Sequence, residues 1–176
     1  MTTSIASLLQ NQILASLPES VTQRLLPQLE PCALPLGKVL YESRETIGYT
    51  WFPRDAIVSQ LYVTEDGSSA EITLIGNDGI VGVAPFLGSS SAHTRAVVQS
   101  AGSAYRLPVQ AALAEFDLHS EFMTQVLCYV HVMLTQIAQT AVCNRHHTLE
   151  QQLCRWLLLS LDRLPSDELA MTQELI

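Results

Sequence analysis

The side chains best suited to bind a metal or to act as nucleophiles are few and widely spaced in this sequence. Four cysteines occur, without any C-x-x-C pair, at Cys32, Cys128, Cys143 and Cys154. Of the five histidines, only His93 lies in the β-rich region defined below, and His146 and His147 are adjacent, so both rings cannot easily face one metal ion from a helix. Zinc, haem and iron–sulfur sites need more ligands than this pattern offers.

The sequence also lacks the usual signatures of enzymes. A Ser-His-Asp hydrolase would need a nucleophile elbow such as G-x-S-x-G, which does not occur. A cupin-like metal enzyme would need two or three histidines and a carboxylate inside a barrel, and the β-rich region has one histidine. We therefore expect no catalytic residue, no metal and no cofactor, and we do not expect an enzyme.

Composition describes a packed, acidic chain. The 176 residues are 48% apolar, with 9 Lys+Arg against 17 Asp+Glu and a net charge of -8, and Lys38 is the sole lysine. Such a balance argues against a basic face for nucleic acid or anionic membranes within these residues. No basic residue precedes Arg24, so the start lacks the charged region of a secretory signal, and we expect a cytoplasmic protein with reduced thiols.

The pattern of residue types changes twice along the chain, at about residues 30 and 108. Residues 1–29 are predicted to be helical, with a break at Leu17-Pro18. Residues 30–107 alternate short β-rich runs with turn signals, most clearly in the hairpin formed by 57–64 and 69–75 around Asp66-Gly67. Several antiparallel strands at short, regular spacing predict a sandwich, roll or barrel.

Residues 120–145 are predicted to form one long helix with two apolar faces. A first set at steps of four and three is typical of helix pairing, so we assign it to a dimer interface: Phe122, Val126, Tyr129, Met133, Ile137 and Thr140. A second set runs beside it: Leu127, Val130, Leu134, Ala138 and Ala141. One face would lie on the β-domain and the other on a partner; the alternative is a helix packed only within its own domain. Frequent glutamines and threonines argue against a membrane span.

A joint between two helices is predicted after the long helix. Asn144, Arg145, His146 and His147 interrupt the apolar pattern, and Thr148-Leu149-Glu150-Gln151 restarts it as a capping box. The next helix should run from 149 to about 164 and stop at Pro165. A further helix opens at Thr172 but has barely one turn before Ile176, so we expect the sequence to be cut inside a further domain.

This order of parts resembles the Crp/Fnr superfamily of bacterial transcription regulators, and specific stretches carry the likeness. They are Trp51-Phe52-Pro53, Gly79-Ile80-Val81-Gly82, Arg95-Ala96-Val97-Val98, residues 149–158, and residues 171–176. The resemblance implies an α+β fold: an antiparallel jelly-roll β-roll of the cyclic-nucleotide-binding type, with N-terminal helices and a long C-terminal dimerisation helix. It also implies a homodimer whose helix-turn-helix reads the DNA major groove.

The domains implied by the resemblance follow the same order. Residues 1–117 would be a sensor β-roll with its helical lead, 118–147 the dimerisation helix and hinge, and 148–176 the start of a truncated winged-helix domain. DNA would then be contacted only by a domain beyond Ile176. The alternative is a stand-alone module that binds a cyclic nucleotide or other small ligand as a dimer and never binds DNA.

The ligand cassette of the superfamily's cyclic-nucleotide binders is only partly matched. Those proteins place a glutamate after the loop-opening glycine and an arginine before a Ser/Thr, whereas here Val83 follows Gly82, and Arg95 follows Thr94. A ribose hydroxyl left without its acceptor costs about 1–3 kcal/mol. Gly82, Val83, Thr94 and Arg95 are therefore candidates for a pocket that takes an unknown small-molecule effector rather than cyclic AMP. The alternative for Arg95 is an ion pair with an acidic neighbour at the strand end.

Overall fold

The structure is a computed structural model, and it describes residues 8–164 of the chain. The described part of the lead contains the short helices α1 (Gln12–Ala15) and α2 (Glu19–Leu25). Asn11 fixes them to the rest of the molecule: its Oδ1 caps α1, and its Nδ2 donates to Pro53 O at 2.9 Å and to Gly79 O at 3.1 Å. The lead therefore packs on the β-domain as part of one core.

Seven strands form two antiparallel sheets. They are β1 (Glu30–Leu34), β2 (Val39–Tyr41), β3 (Tyr49–Pro53), β4 (Ile57–Val63), β5 (Ser69–Ile75), β6 (Arg95–Ser100) and β7 (Gly102–Pro108). The strand order is β1-β7-β3 in one sheet and β2-β6-β4-β5 in the other. Fully buried side chains from both sheets, such as Phe52 and Val58, belong to one hydrophobic cluster. The predicted hairpin is confirmed, since β4 pairs with β5 around residues 64–68.

Up to residue 164, three helices follow the roll: α3 (Val109–Asp117), α4 (Glu121–His146) and α5 (Leu149–Leu161). The predicted capping box at the start of α5 is confirmed, because Thr148 Oγ1 accepts from Gln151 N while Gln151 Oε1 accepts from Thr148 N. Along α5, Arg155 bonds to Thr140 at 3.3 Å. Beyond the end of α5, Arg163 bonds to Gln136 at 3.2 Å. The order of these contacts shows that α5 runs back along α4.

The predicted joint is narrower in the structure than in the sequence pattern. Asn144, Arg145 and His146 complete the last turn of α4, and only His147 and Thr148 have extended backbone between the two helices. Charged and polar side chains at a helix end do not by themselves unwind it, since Arg145 and His146 favour the C-terminal end of the helix dipole.

The dimer face assigned from the sequence lies mostly inside the chain. Phe122 and Val126 are 0% exposed, and Tyr129 and Met133 are 9% and 8% exposed. Phe122 packs edge-on against Phe86 at 5.9 Å between ring centroids, so this face seals the roll. Ile137 and Thr140 are half-buried on the same side. The buried four cannot contact a partner in this conformation, and that part of the prediction was wrong.

The second apolar set is the outward face of α4. Leu127 is 44% exposed, Leu134 is 58% exposed, and Ala138 and Ala141 are also exposed, whereas Val130 is buried. By length and composition α4 could cross a membrane, with a mean hydropathy of 1.5 over 18 residues of which 22% are buried. Its inner face, however, packs on the roll. The glutamines and threonines along the helix also argue against a membrane span, as the sequence indicated.

Candidate functional site

Two of the four predicted ligand residues, Gly82 and Thr94, contact the hydroxyl group of Tyr41. Gln60 donates to this hydroxyl at 3.0 Å, and the same amide lies 3.3 Å from Thr94 Oγ1. The Thr94 side chain and the backbone N–H of Gly82 bond to the Tyr41 hydroxyl as well. Burial raises the pKa of Tyr41, and these bonds only partly oppose that rise. The tyrosine therefore stays protonated and structural.

Val83 and Arg95 do not converge on this centre through polar contacts. Val83 is buried and caps the short 3-10 helix Ala84–Leu87. Arg95 forms an ion pair with Glu42, with 3.3 Å between Nε and Oε1, so the structure matches the alternative given for it above. The pattern missed Tyr41 and Gln60, although an amide within the apolar strand β4 was a signal that could have been followed.

A second group of contacts joins the roll to both C-terminal helices at residues 76–79, which we call the 76–79 loop. A Cβ atom on Gly79 would lie 2.6 Å from Tyr129 Cε2, so only glycine leaves room for that ring. The Tyr129 hydroxyl bonds to the backbone of Ile80, and its pKa is raised, first by burial and then by nearby Asp78. The tyrosine of α4 is thus enclosed by this loop.

Asp78 of the same loop forms an ion pair with Arg163, which follows α5. The Asp78 Oδ2–Arg163 Nη2 distance is 2.8 Å, and Arg163 Nε lies 3.1 Å from Oδ1. Arg163 also donates to Gln136 and to Leu159 O, and a Cβ on Gly76 would lie 2.6 Å from Arg163 Cβ. Consequently, the end of α5 is held against the β-roll by a largely buried cation.

No protein-family model matches the sequence, and no curated protein sequence matches it. Solved structures do. A protein described as a Crp/Fnr-family transcriptional regulator from Eubacterium rectale matches with a TM-score of 0.72 and 6% identity, over 87% of this chain and 72% of that one. The c-di-GMP-responsive global regulator CLP of Xanthomonas campestris matches with a TM-score of 0.67 and 13% identity, over 89% and 76%.

A third similar structure carries a different description. A protein from Ruegeria pomeroyi described as cyclic-nucleotide-binding matches with a TM-score of 0.59 and 19% identity, over 88% of this chain and 68% of that one. The chain therefore has the fold of the Crp/Fnr regulators and of cyclic-nucleotide-binding domains, and the predicted fold class is confirmed. At these identities the likeness concerns the fold.

Proposed function

We propose that this chain is the sensing and dimerisation part of a bacterial DNA-binding transcription regulator that works in the cytoplasm. The observation that carries the proposal is the arrangement of three parts. They are a roll with the fold of a sensor domain, a long helix α4, and a helix α5 that Asp78 and Arg163 hold to the roll. The sensor would span residues 1–117 and the pairing helix with its joint 118–147. A winged-helix domain would begin at 148–176, and DNA would be contacted only beyond Ile176.

A homodimer is the proposed assembly, with its contact moved to the outer face of α4. We define the outer seam as Leu127, His131, Leu134, Ala138 and Ala141, which recur at steps of four and three. All five are exposed and carry no formal charge apart from the histidine. This spacing is the a/d pattern of a two-stranded coiled coil, and the small alanines would let the helices approach closely near the joint.

We propose that the effector is a small molecule. It is not expected to be cyclic AMP held by the glutamate and arginine contacts of the superfamily's cyclic-nucleotide binders. Val83 offers no acceptor to a ribose hydroxyl, and the nearest arginine, Arg95, is paired with Glu42. The polar groups around Tyr41 bond mainly to one another. One of the similar structures is a c-di-GMP-responsive regulator, which supports the idea that this fold serves effectors of more than one kind.

A charged substitution in the outer seam tests the assembly. Leu134→Glu should convert a dimer to a monomer in sedimentation velocity, because it would place two carboxylates against each other at the helix contact. Leu87→Glu is the matched control, since Leu87 is 56% exposed, close to the 58% of Leu134, and lies on the roll. A dimer that survives Leu134→Glu would contradict the seam.

For the DNA-binding part, the reading frame after codon 176 should encode a winged-helix pattern, and an immediate stop codon would contradict it.

A further inference from the structure

A cavity of about 280 Å³ lies between strand β5 and helices α4 and α5. Its lining is mainly apolar and includes Leu74 from the sheet and Leu153, Trp156 and Leu159 from α5. Ligand pockets usually measure about 300–1,000 Å³, so this one suits a molecule smaller than a typical drug. It is separate from the cluster around Tyr41, which contributes no residue to its wall.

Among the described residues that line this cavity, one is acidic, Glu71, and one is basic, Arg155. Glu71 accepts a hydrogen bond from Ser59 at 2.6 Å and another from the Trp156 side chain, and Arg155 is near enough to attract it. Burial nevertheless outweighs these contacts and raises the pKa of Glu71. An additional donor would therefore be favourable at this carboxylate, because it would stabilise the charged form that burial opposes.

We propose that this cavity binds a small apolar amine, with its nitrogen on the Glu71 carboxylate and its apolar part between Leu153 and Trp156. Arg155 lines the same cavity, where it donates to Thr140 and attracts Glu71, so it competes with the amine for this carboxylate and limits the affinity. A chain with a net charge of -8 repels anions at long range.

Occupation of the cavity would connect two parts of the molecule. One wall belongs to the sensor sheet and the other to α5, so a bound ligand would contact both. The inference goes beyond the proposed function, since binding at this place needs neither a dimer nor DNA and is measured separately. A failed dimer test would leave it intact, and a failed binding test would leave the dimer intact.

Calorimetric titration of the 176-residue chain tests the proposal with two matched probes, 3-phenylpropylamine and 3-phenylpropionate. The amine should bind, and the acid should bind at least ten-fold more weakly. Glu71→Gln should weaken amine binding about ten-fold, whereas Glu65→Gln, the same charge change at the exposed hairpin tip, should leave it unchanged. Absence of amine binding, equal binding of the acid, or equal binding to Glu71→Gln would each overturn the proposal.

A second variant keeps the test decisive if Glu71→Gln impairs folding. Leu153→Phe retains the carboxylate but fills part of the cavity, so amine binding should be lost while thermal denaturation stays cooperative. Trp156 fluorescence gives the location independently, because a ligand against the indole should change the emission and Trp156→Phe should remove that change. Binding that is undiminished in Leu153→Phe, or a fluorescence change that persists without Trp156, would place the ligand elsewhere and refute the assignment.

Discussion

Replacing Asp78 by asparagine should free helix α5 from the β-roll. The substitution preserves the shape of the side chain and the oxygen that accepts from Gly76 N, but it removes the negative charge facing Arg163. Arg163 is only 8% exposed, so its guanidinium loses a partner without gaining full hydration. Local detachment of the helix end is the direct way for that cation to regain water.

The expected cost follows from the exposure of the two partners. Breaking a fully buried pair costs about 3–5 kcal/mol, whereas exposed pairs contribute about 0.2–1 kcal/mol. Asp78 is 36% exposed, and Arg163 keeps its bonds to Gln136 and Leu159 O, so we expect a loss of about 1–2 kcal/mol. A loss of that size would raise the population of the detached state about 5–30-fold.

Amide hydrogen exchange measures this population directly, because it reports local opening segment by segment. In Asp78→Asn, the amides of α5 should exchange about 5–30-fold faster, while those of β4 and β6 should keep their rates. Asp162→Asn is the control, since it changes the same charge at an exposed residue at the end of α5. Unchanged exchange in α5, or an equal acceleration in the roll strands, would refute the claim that this ion pair holds α5 to the β-roll.

Two further predictions concern packing and pH. Gly79→Ala should destabilise the chain by about 1–3 kcal/mol in chemical denaturation, because its Cβ would lie 2.6 Å from the Tyr129 ring. Most of that loss should vanish in a Tyr129→Leu background, and an equal loss in both backgrounds would contradict the steric reason. Arg24, bonded to Glu115 at 2.7 Å, lowers the pKa of that carboxyl. A lowered folded pKa gives stability that is present above about pH 4.5 and is lost as the pH falls. The Tm advantage of the wild type over Glu115→Gln should therefore narrow between pH 5 and 3, and a constant difference would contradict it.

Most of the fold was predictable because local rules fix its parts. The Asp66-Gly67 turn sets the β4–β5 hairpin, and Thr148 with Gln151 sets the start of α5 to the residue. These features need only neighbouring residues, so they survive whatever the distant chain does. The joint was placed correctly but drawn too wide, because polarity alone does not end a helix.

The orientation of α4 was not predictable from periodicity. Both of its faces repeat at steps of four and three, so either could have faced the roll. The choice depends on distant residues: Gly79 leaves space for the Tyr129 ring, and Phe86 meets Phe122. The Asp78–Arg163 pair has the same character, since its partners are 85 positions apart and neither stands out locally.

The two candidate ligand positions are linked by a very short path to α5. Gly82, whose N–H bonds to Tyr41, lies three positions after Gly79, and between them Val81 is bonded to Trp51 of β3 in both directions at 2.9 Å. The 76–79 loop in turn contacts Tyr129 of α4 and Arg163 after α5, so a displacement of this loop would reach both helices. Gln136 lines the cavity between β5, α4 and α5 and also bonds to Arg163, so a ligand in that cavity and the Asp78–Arg163 pair act on the same contacts of both helices.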